Sequence, residues 1–347
     1  MKVLFVAGTL AKGGAEKQLY LTIKACLVLG VQVQVVAFDR SQFWENKIDD
    51  LKVDVINMPE NRFVRLMCLY RTARAFRPDL IIAQHFFASP YAVLVGRLIS
   101  VPAIAAVRND GLQELGLLPN WVCTFVFKHC RAAIANTKTA ITNLKAQQVH
   151  SELIHLPNTV EIDTSPRKRC FSVAGVSIIF VGRLVPQKRV DRFLRVIKGL
   201  QEASLPINQV QIVGDGPLRD ELERQATELE LEVSFLGIRD DVPELLSRSD
   251  IMMLTSDYEG YPNVILEAMA SGCLVISTPV GGVPELVVNK HNGYTCDDET
   301  SMINTVCQLV AHPELAESIR EQARLTAAAH SFGHHVKRVS SILKRLT

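Results

Sequence analysis

The chain has 347 residues, 48 % hydrophobic and 21 % charged; it is too long for one average domain, and the balance suits packed globular domains and excludes a disordered chain. Its net charge of +2 is unevenly placed: residues 1–165 carry 18 Lys and Arg against 13 Asp and Glu, and residues 166–347 carry 20 against 23. The first half is therefore the one suited to anions or a membrane surface, while so small an excess, with no aromatic-rich basic stripe, excludes nucleic acid as the partner.

In chain order, Lys2-Val3-Leu4-Phe5-Val6-Ala7-Gly8 holds one charge and then turns polar, which reads as a first strand and not as a secretory leader. A helix is expected over 15–29, with strands over 31–38 and 52–56. A helix over 62–76 precedes strands at 80–83, 103–107 and 132–135. Continuous apolar strands separated by helices imply a parallel sheet covered on both faces. At Leu156-Pro157-Asn158 the pattern reaches a strand end and a turn, and the polar run 163–169 marks a domain boundary. A second alternation follows, with strands at 177–181, 209–213, 233–236, 251–255 and 274–278 and helices at 189–202, 217–229, 242–248 and 262–271. The fold class is thus α/β, two doubly wound units in tandem over 1–165 and 166–332. Ligands of such sheets bind outside the carboxyl ends of the strands, and with two of them the cleft between domains is the expected site. No run of about 18 apolar residues exists; the most apolar stretch, 90–107, is broken by Arg97 and Pro102. Any membrane contact is therefore expected to be peripheral. The eight cysteines form no C-x-x-C and show no metal-ligand spacing, which reads as reduced thiols in a cytoplasmic protein without a structural metal.

The chemistry-bearing motifs sit at strand-to-helix turns. Gly13-Gly14-Ala15-Glu16 lies between the first strand and first helix, where glycines admit a ligand to backbone amides and a helix start favours an anion. The motif is neither a dinucleotide fingerprint nor a Walker loop, since Gly14 stands where the lysine belongs, and an ordinary turn explains it equally well. Gly182-Arg183-Leu184, with Lys188 five residues after Arg183, puts a guanidinium fork and a mobile ammonium at a strand's carboxyl end; the bland alternative is two solvated surface cations. Val213-Gly214-Asp215-Gly216-Pro217 is either a nucleotide-lining turn or a plain one, with Pro217 suited to the first helical position. The sharpest segment runs from Glu259-Gly260-Tyr261-Pro262-Asn263 to Glu267, which falls in the second turn of an otherwise apolar helix. A carboxylate there needs partners, and sugar or ribose hydroxyls supply them; the alternative is a capping Glu259 and a surface Glu267. His85 follows a strand end, and His334-His335 read as solvated. Asp240-Asp241 precedes a helix and reads as its cap. Five arginines between Arg62 and Arg77, with no acid among them, form either a basic skin on an exposed helix or a surface for anionic lipid or a pyrophosphate-linked acceptor.

These motifs, in this order, resemble the retaining glycosyltransferases of family four, with Val280-Gly281-Gly282-Val283-Pro284-Glu285 closing the series. The resemblance spans nearly the whole chain. Its specific part is the glutamate pair eight residues apart with Gly-x-Pro-Asn between. It implies a GT-B fold, an acceptor-side domain over 1–165, a nucleotide-sugar-binding domain over 166–332, and a helix over 333–347 crossing back to the first domain. It further implies that Arg183 and Lys188 hold the donor diphosphate, that Glu267 accepts from the ribose hydroxyls, and that Glu259 and His85 lie beside the donor sugar. Gly182, Gly214, Gly260, Tyr261, Pro262 and Asn263 would line the donor, Gly13 and Gly14 would meet its phosphates from the acceptor side, and Arg108 would face the acceptor. The implied activity is transfer of a hexose or N-acetylhexosamine, from UDP as the first choice of carrier, to a glycan or lipid-linked glycan in envelope polysaccharide synthesis. No cofactor or metal is expected, and the expected location is the cytoplasm or the inner face of the membrane. A sugar-nucleotide epimerase, a phosphorylase and a non-catalytic nucleotide-binding protein remain the alternatives.

Overall fold

A computed structural model describes residues 1–39, 42–109, 111–116, 118–162 and 175–346. The polar run at 163–169 lies outside the described residues, as do Asp110 and Cys170. The chain divides into two compact units, Met1–Thr159 with Phe332–Thr347, and Val160–Ser331.

In the first unit, β1 (Lys2–Ala7), β2 (Gln32–Ala37), β3 (Val55–Asn57), β4 (Leu80–Ala83), β5 (Ala103–Val107), β6 (Ala132–Ala135) and β7 (Glu152–His155) form one sheet in the order β3-β2-β1-β4-β5-β6-β7. Every pair is parallel. The apolar runs of β4, β5 and β6 are buried throughout because helices cover both faces. Alternate residues of β1 serve the two faces: Leu4 and Val6 join one apolar cluster, Val3, Phe5 and Ala7 the other. Val6 pairs with Ala83, so β1 and β4 end side by side.

The helix Phe332–Leu346 belongs to this unit and packs along the helix Gly14–Val28. It inserts Val339, Leu343 and Leu346 into the second cluster, and Arg345 reaches Glu152 at 2.6 Å. His335, expected to be solvated, is instead 1 % exposed, whereas His334 is exposed. Thr22 gives its hydroxyl proton to the Gln18 carbonyl, so its oxygen is left to accept from His335 Nε2 at 3.1 Å. His335 Nδ1 is buried without a partner among the described residues.

The second unit repeats the plan. Its strands are β8 (Val176–Val181), β9 (Ile207–Val213), β10 (Ser234–Gly237), β11 (Ile251–Leu254), β12 (Leu274–Ser277) and β13 (Tyr294–Thr295), all parallel, in the order β10-β9-β8-β11-β12-β13. Several boundaries differ from the sequence reading. The third strand starts at Val55, and Pro217 precedes the helix Arg219–Glu228 without opening it. Asp241 stands at the N-cap of Val242–Arg248 but makes no side-chain cap; its carboxylate takes the Arg239 guanidinium instead, at 2.6 Å. A charged fork two residues away outcompetes a backbone amide for it.

His335 makes stability depend on pH. Burial, with Arg108 and Arg338 adding to it, pulls its imidazole down from 6.5 to about 4. The unfolded ring thus takes up its proton first as pH falls. The stabilisation is complete above pH 6.5, is lost progressively toward pH 4, and amounts to roughly 3 kcal/mol. Both tryptophans, Trp44 and Trp121, lie in the first unit, so urea unfolding followed by their fluorescence reads it directly. Between neutral pH and about pH 4.5 the wild-type midpoint should fall further than that of His335→Gln, which keeps a donor for Thr22 but does not titrate.

Candidate functional site

In each sheet the strand order reverses once, beside β1 and β4 in the first unit and beside β8 and β11 in the second. Crossovers leave these neighbours toward opposite faces, and a crevice opens at their carboxyl ends. Gly13, Gly14 and His85 lie on turns at the first of these places, and Gly182, Arg183, Lys188 and Glu259 on turns at the second.

In the first unit, β1 runs into Gly8, and the following loop reaches Gly13, the N-cap of the helix that starts at Gly14. Beyond β4, His85 bridges to both ends of this loop. Its Nδ1 accepts from the Gly8 N–H at 3.2 Å, and its Nε2 lies 3.2 Å from Glu16 Oε1. Phe87 is exposed and stacks on the His85 ring at 5.3 Å. A Cβ on Gly8 would fall 2.0 Å from the Phe87 ring, so a larger residue there would displace Phe87 from its place on His85. Arg108 is committed within the unit: its Nη2 donates to Gln84 Oε1 at 2.7 Å and its Nε to the Gln84 carbonyl at 3.1 Å. Gln84 in turn donates to the Ala15 carbonyl at 2.6 Å. Sequence reasoning missed Gln84 and the engagement of Glu16; the signal was a polar residue next to His85 at the end of a wholly apolar strand.

In the second unit, Gly182 follows β8, and Arg183 is exposed, its guanidinium without a hydrogen-bond or ion-pair partner among the described residues. Lys188 is not a solvated cation. Its Nζ lies 2.5 Å from Glu259 Oε1, which also accepts from Ser256 Oγ at 2.5 Å. Glu259 caps no helix; it is a buried carboxylate in a three-residue cluster. The two loops carrying this pair are joined by two hydrogen bonds: the Asp257 N–H donates to the Gln187 backbone carbonyl at 3.0 Å, and the Gln187 side-chain Nε2 donates to the Tyr258 carbonyl at 2.6 Å. Asp257 is gripped by Arg189 and Arg192. Burial raises its carboxyl, but the two guanidiniums outweigh that and hold it below the usual carboxylate range. Gly260 leads to Tyr261 and Pro262, both buried, and Pro262 is the N-cap of the helix Asn263–Ala270, on which Glu267 is half-buried. Two glycines are dictated by packing: Gly214, at φ +136°, presses on the Gly182 carbonyl, and Gly281, at φ +55°, presses on that of Glu259. Gly281 thus closes the loop behind Glu259.

The helix Arg62–Phe76 is capped by Asn61, whose side chain accepts from Phe63 and Val64 N–H. It buries Leu69 and Ala73 but leaves Phe63 84 % exposed, with Val64 and Met67 about half exposed alongside Arg62, Arg71 and Arg74. Among the described residues no helix is long and apolar enough to cross a membrane.

Residues 12–164 match the family model for Glycosyltransferase Family 4, and residues 166–326 that for Glycosyl transferases group 1. The chain belongs to this glycosyltransferase family, and its two parallel-sheet units are those of the GT-B fold. Over 142 residues it is 36 % identical to the N-acetyl-alpha-D-glucosaminyl L-malate synthase of Bacillus anthracis, covering 40 % of this chain and 37 % of that enzyme. Over 331 residues it is 23 % identical to a Campylobacter jejuni alpha-1,4-N-acetyl-D-galactosaminyltransferase whose named acceptor is a GalNAc-containing diNAcBac-PP-undecaprenol, covering 90 % of each. Anabaena HepE in complex with UDP shares the fold, with a TM-score of 0.85, 22 % identity and coverage of 99 % and 100 % of the two chains.

The Lys188–Glu259 pair makes a prediction of its own. Glu259→Ala leaves a largely buried ammonium without its counter-charge, at a cost of roughly 3 kcal/mol, and replacing both partners by Met and Leu restores most of it. Hydrogen exchange of the β8 and β11 amides is the measurement; unchanged protection in Glu259→Ala would show that the pair contributes nothing to the second unit.

Proposed function

We propose that this glycosyltransferase moves a hexose or N-acetylhexosamine from a UDP-sugar onto a lipid-linked glycan, with retention of anomeric configuration, in envelope polysaccharide synthesis. The observation that carries the donor side is the Arg183, Lys188 and Glu259 constellation at the reversal point of the second sheet. The Val160–Ser331 unit takes the donor: Arg183 meets the diphosphate directly, Lys188 does so while tethered to Glu259, and Glu267 accepts from the ribose hydroxyls. Gly182, Gly214, Gly260, Tyr261, Pro262 and Asn263 shape the lining. The other unit takes the acceptor, with Arg108 facing it, while Gly13, Gly14 and His85, at that unit's own reversal point, keep the donor-side roles that the family resemblance implies. UDP as carrier is supported by the fold shared with HepE, also known with UDP-glucose. The lipid-linked acceptor is supported by the Campylobacter relative.

Breaking the sugar–phosphate bond places extra negative charge on the leaving diphosphate, and groups already aimed at that charge stabilise the transition state more than the ground state. Fixed side chains supply the positive charge in place of a metal. The Glu259 carboxylate offsets one cation, so Arg183 carries the larger share. Arg183→Ala should lower turnover by about 10²–10³-fold, and excess EDTA should leave wild-type turnover unchanged. Loss of activity in EDTA with recovery in Mg²⁺ or Mn²⁺ would overturn the metal-free reading.

The acceptor reading places the enzyme on the inner face of the cytoplasmic membrane. Phe63, Val64 and Met67 are the apolar groups, and Arg62, Arg71 and Arg74 the cations, of a helix suited to an anionic bilayer surface. Sedimentation with anionic vesicles should weaken with salt, since exposed charges are screened over ~8–10 Å, and weaken again in Phe63→Ser. Binding indifferent to salt, lipid charge and Phe63 would remove this contact.

A further inference from the structure

His85 has both ring nitrogens engaged inside its own unit. Nδ1 accepts from the Gly8 amide, so it carries a lone pair, and the ring proton sits on Nε2, facing the Glu16 carboxylate. Glu16 is buried, at 6 % exposure, in the first turn of the helix that begins at Gly14. A Cβ on Gly13 would come 2.2 Å from the other Glu16 oxygen, so the carboxylate fits closely under the backbone of the glycine pair. Phe87 covers one face of the ring and also touches Gly8. One imidazole therefore ties together the start of the loop at Gly8, its end at Glu16, and the segment after β4.

We propose that Glu16 and His85 form a single latch, in which Glu16 is a positioning residue. Its carboxylate fixes the proton of His85 on Nε2. The lone pair thereby left on Nδ1 holds the Gly8 amide, and the loop to Gly13-Gly14 keeps one shape. In the reverse tautomer Nδ1–H would face the Gly8 N–H and Nε2 would face a carboxylate, two donors together and two acceptors together, and both contacts would fail. The functional consequence rests on the reading above that the Gly13-Gly14 loop meets a ligand of the transfer reaction; the latch itself does not.

Histidine-selective nitrogen-15 labelling with long-range proton–nitrogen correlation reads the tautomer directly, the His85 signals being those lost in His85→Gln. In the wild type Nδ1 should resonate as unprotonated and Nε2 as protonated. In Glu16→Ala that preference should disappear, and in Glu16→Gln, whose amide oxygen still accepts, it should persist. A proton on Nδ1 in the wild type, or an unaltered preference in folded Glu16→Ala, overturns the latch. Should Glu16→Ala not fold, the wild-type and Glu16→Gln spectra decide alone. Turnover then tests the consequence. Glu16→Ala should lose about 10–100-fold, the usual cost of an orienting partner; Glu16→Gln should recover most of it, and the Glu16→Ala/His85→Ala double variant should be no worse than His85→Ala. Multiplying losses overturn the single latch. Normal turnover in His85→Ala, with the tautomer as stated, overturns instead the part of the loop in catalysis.

Discussion

A parallel strand pair cannot be closed by a tight turn; each connection must cross over the sheet, and it does so with one hand. That constraint organises this chain. With every pair in both sheets parallel, each strand's carboxyl end opens into a strand-to-helix turn on the same edge. The single reversal of strand order decides which two turns flank a crevice. Gly8 to Glu16 and Gln84 to Phe87 are neighbours because β1 and β4 are; Gly182 to Lys188 and Thr255 to Gly260 are neighbours because β8 and β11 are. Residues 71 positions apart, Lys188 and Glu259, thus form an ion pair.

The two crevices handle charge differently. In the second unit a buried carboxylate holds a cation that would otherwise be mobile, and Arg183 is left exposed. The ammonium is kept on a short tether, which lowers the ordering it must undergo when a ligand arrives. In the first unit the carboxylate sits on the glycine loop's own helix and is answered by a histidine. A helix start favours an anion, and Glu16 already occupies that position.

How much was legible follows from what pattern can carry. β4, β5 and β6 stand where the apolar runs place them, because a run buried on both faces leaves an unambiguous signature, and the helix Arg62–Phe76 has the expected bounds. Helices at Gln42–Asp49, Ser89–Ile99, Leu112–Gly116, Asn120–His129, Lys138–Ala146, Val283–Leu286, Glu299–Ala311 and Pro313–Ala329 went unassigned; Ser89–Ile99 and Asn120–His129 are rich in apolar residues and resemble buried strands in composition. At the site, the glycine turns and the glutamate spacing were visible, and a partner was expected for Glu267. That Glu259 is the buried carboxylate paired with Lys188 was not visible, since nothing local links the two; their meeting is a property of strand order. His335 misled for a related reason: a His-His pair looks solvated until the helix bearing it finds an apolar face to dock on.

The helix Phe332–Leu346 has a consequence for how the chain is made. It completes the apolar face of a unit whose other residues end at Thr159, and the whole second unit, Val160–Ser331, intervenes. Emerging from a ribosome, the first 159 residues have their sheet but not Val339, Leu343 and Leu346 to cover it. The intervening unit is contiguous and has all its parts once residue 331 has emerged. Domains fold as units during synthesis, so the part that begins first is finished last. An apolar strip along the Gly14–Val28 helix waits, uncovered, for the length of an entire domain's translation.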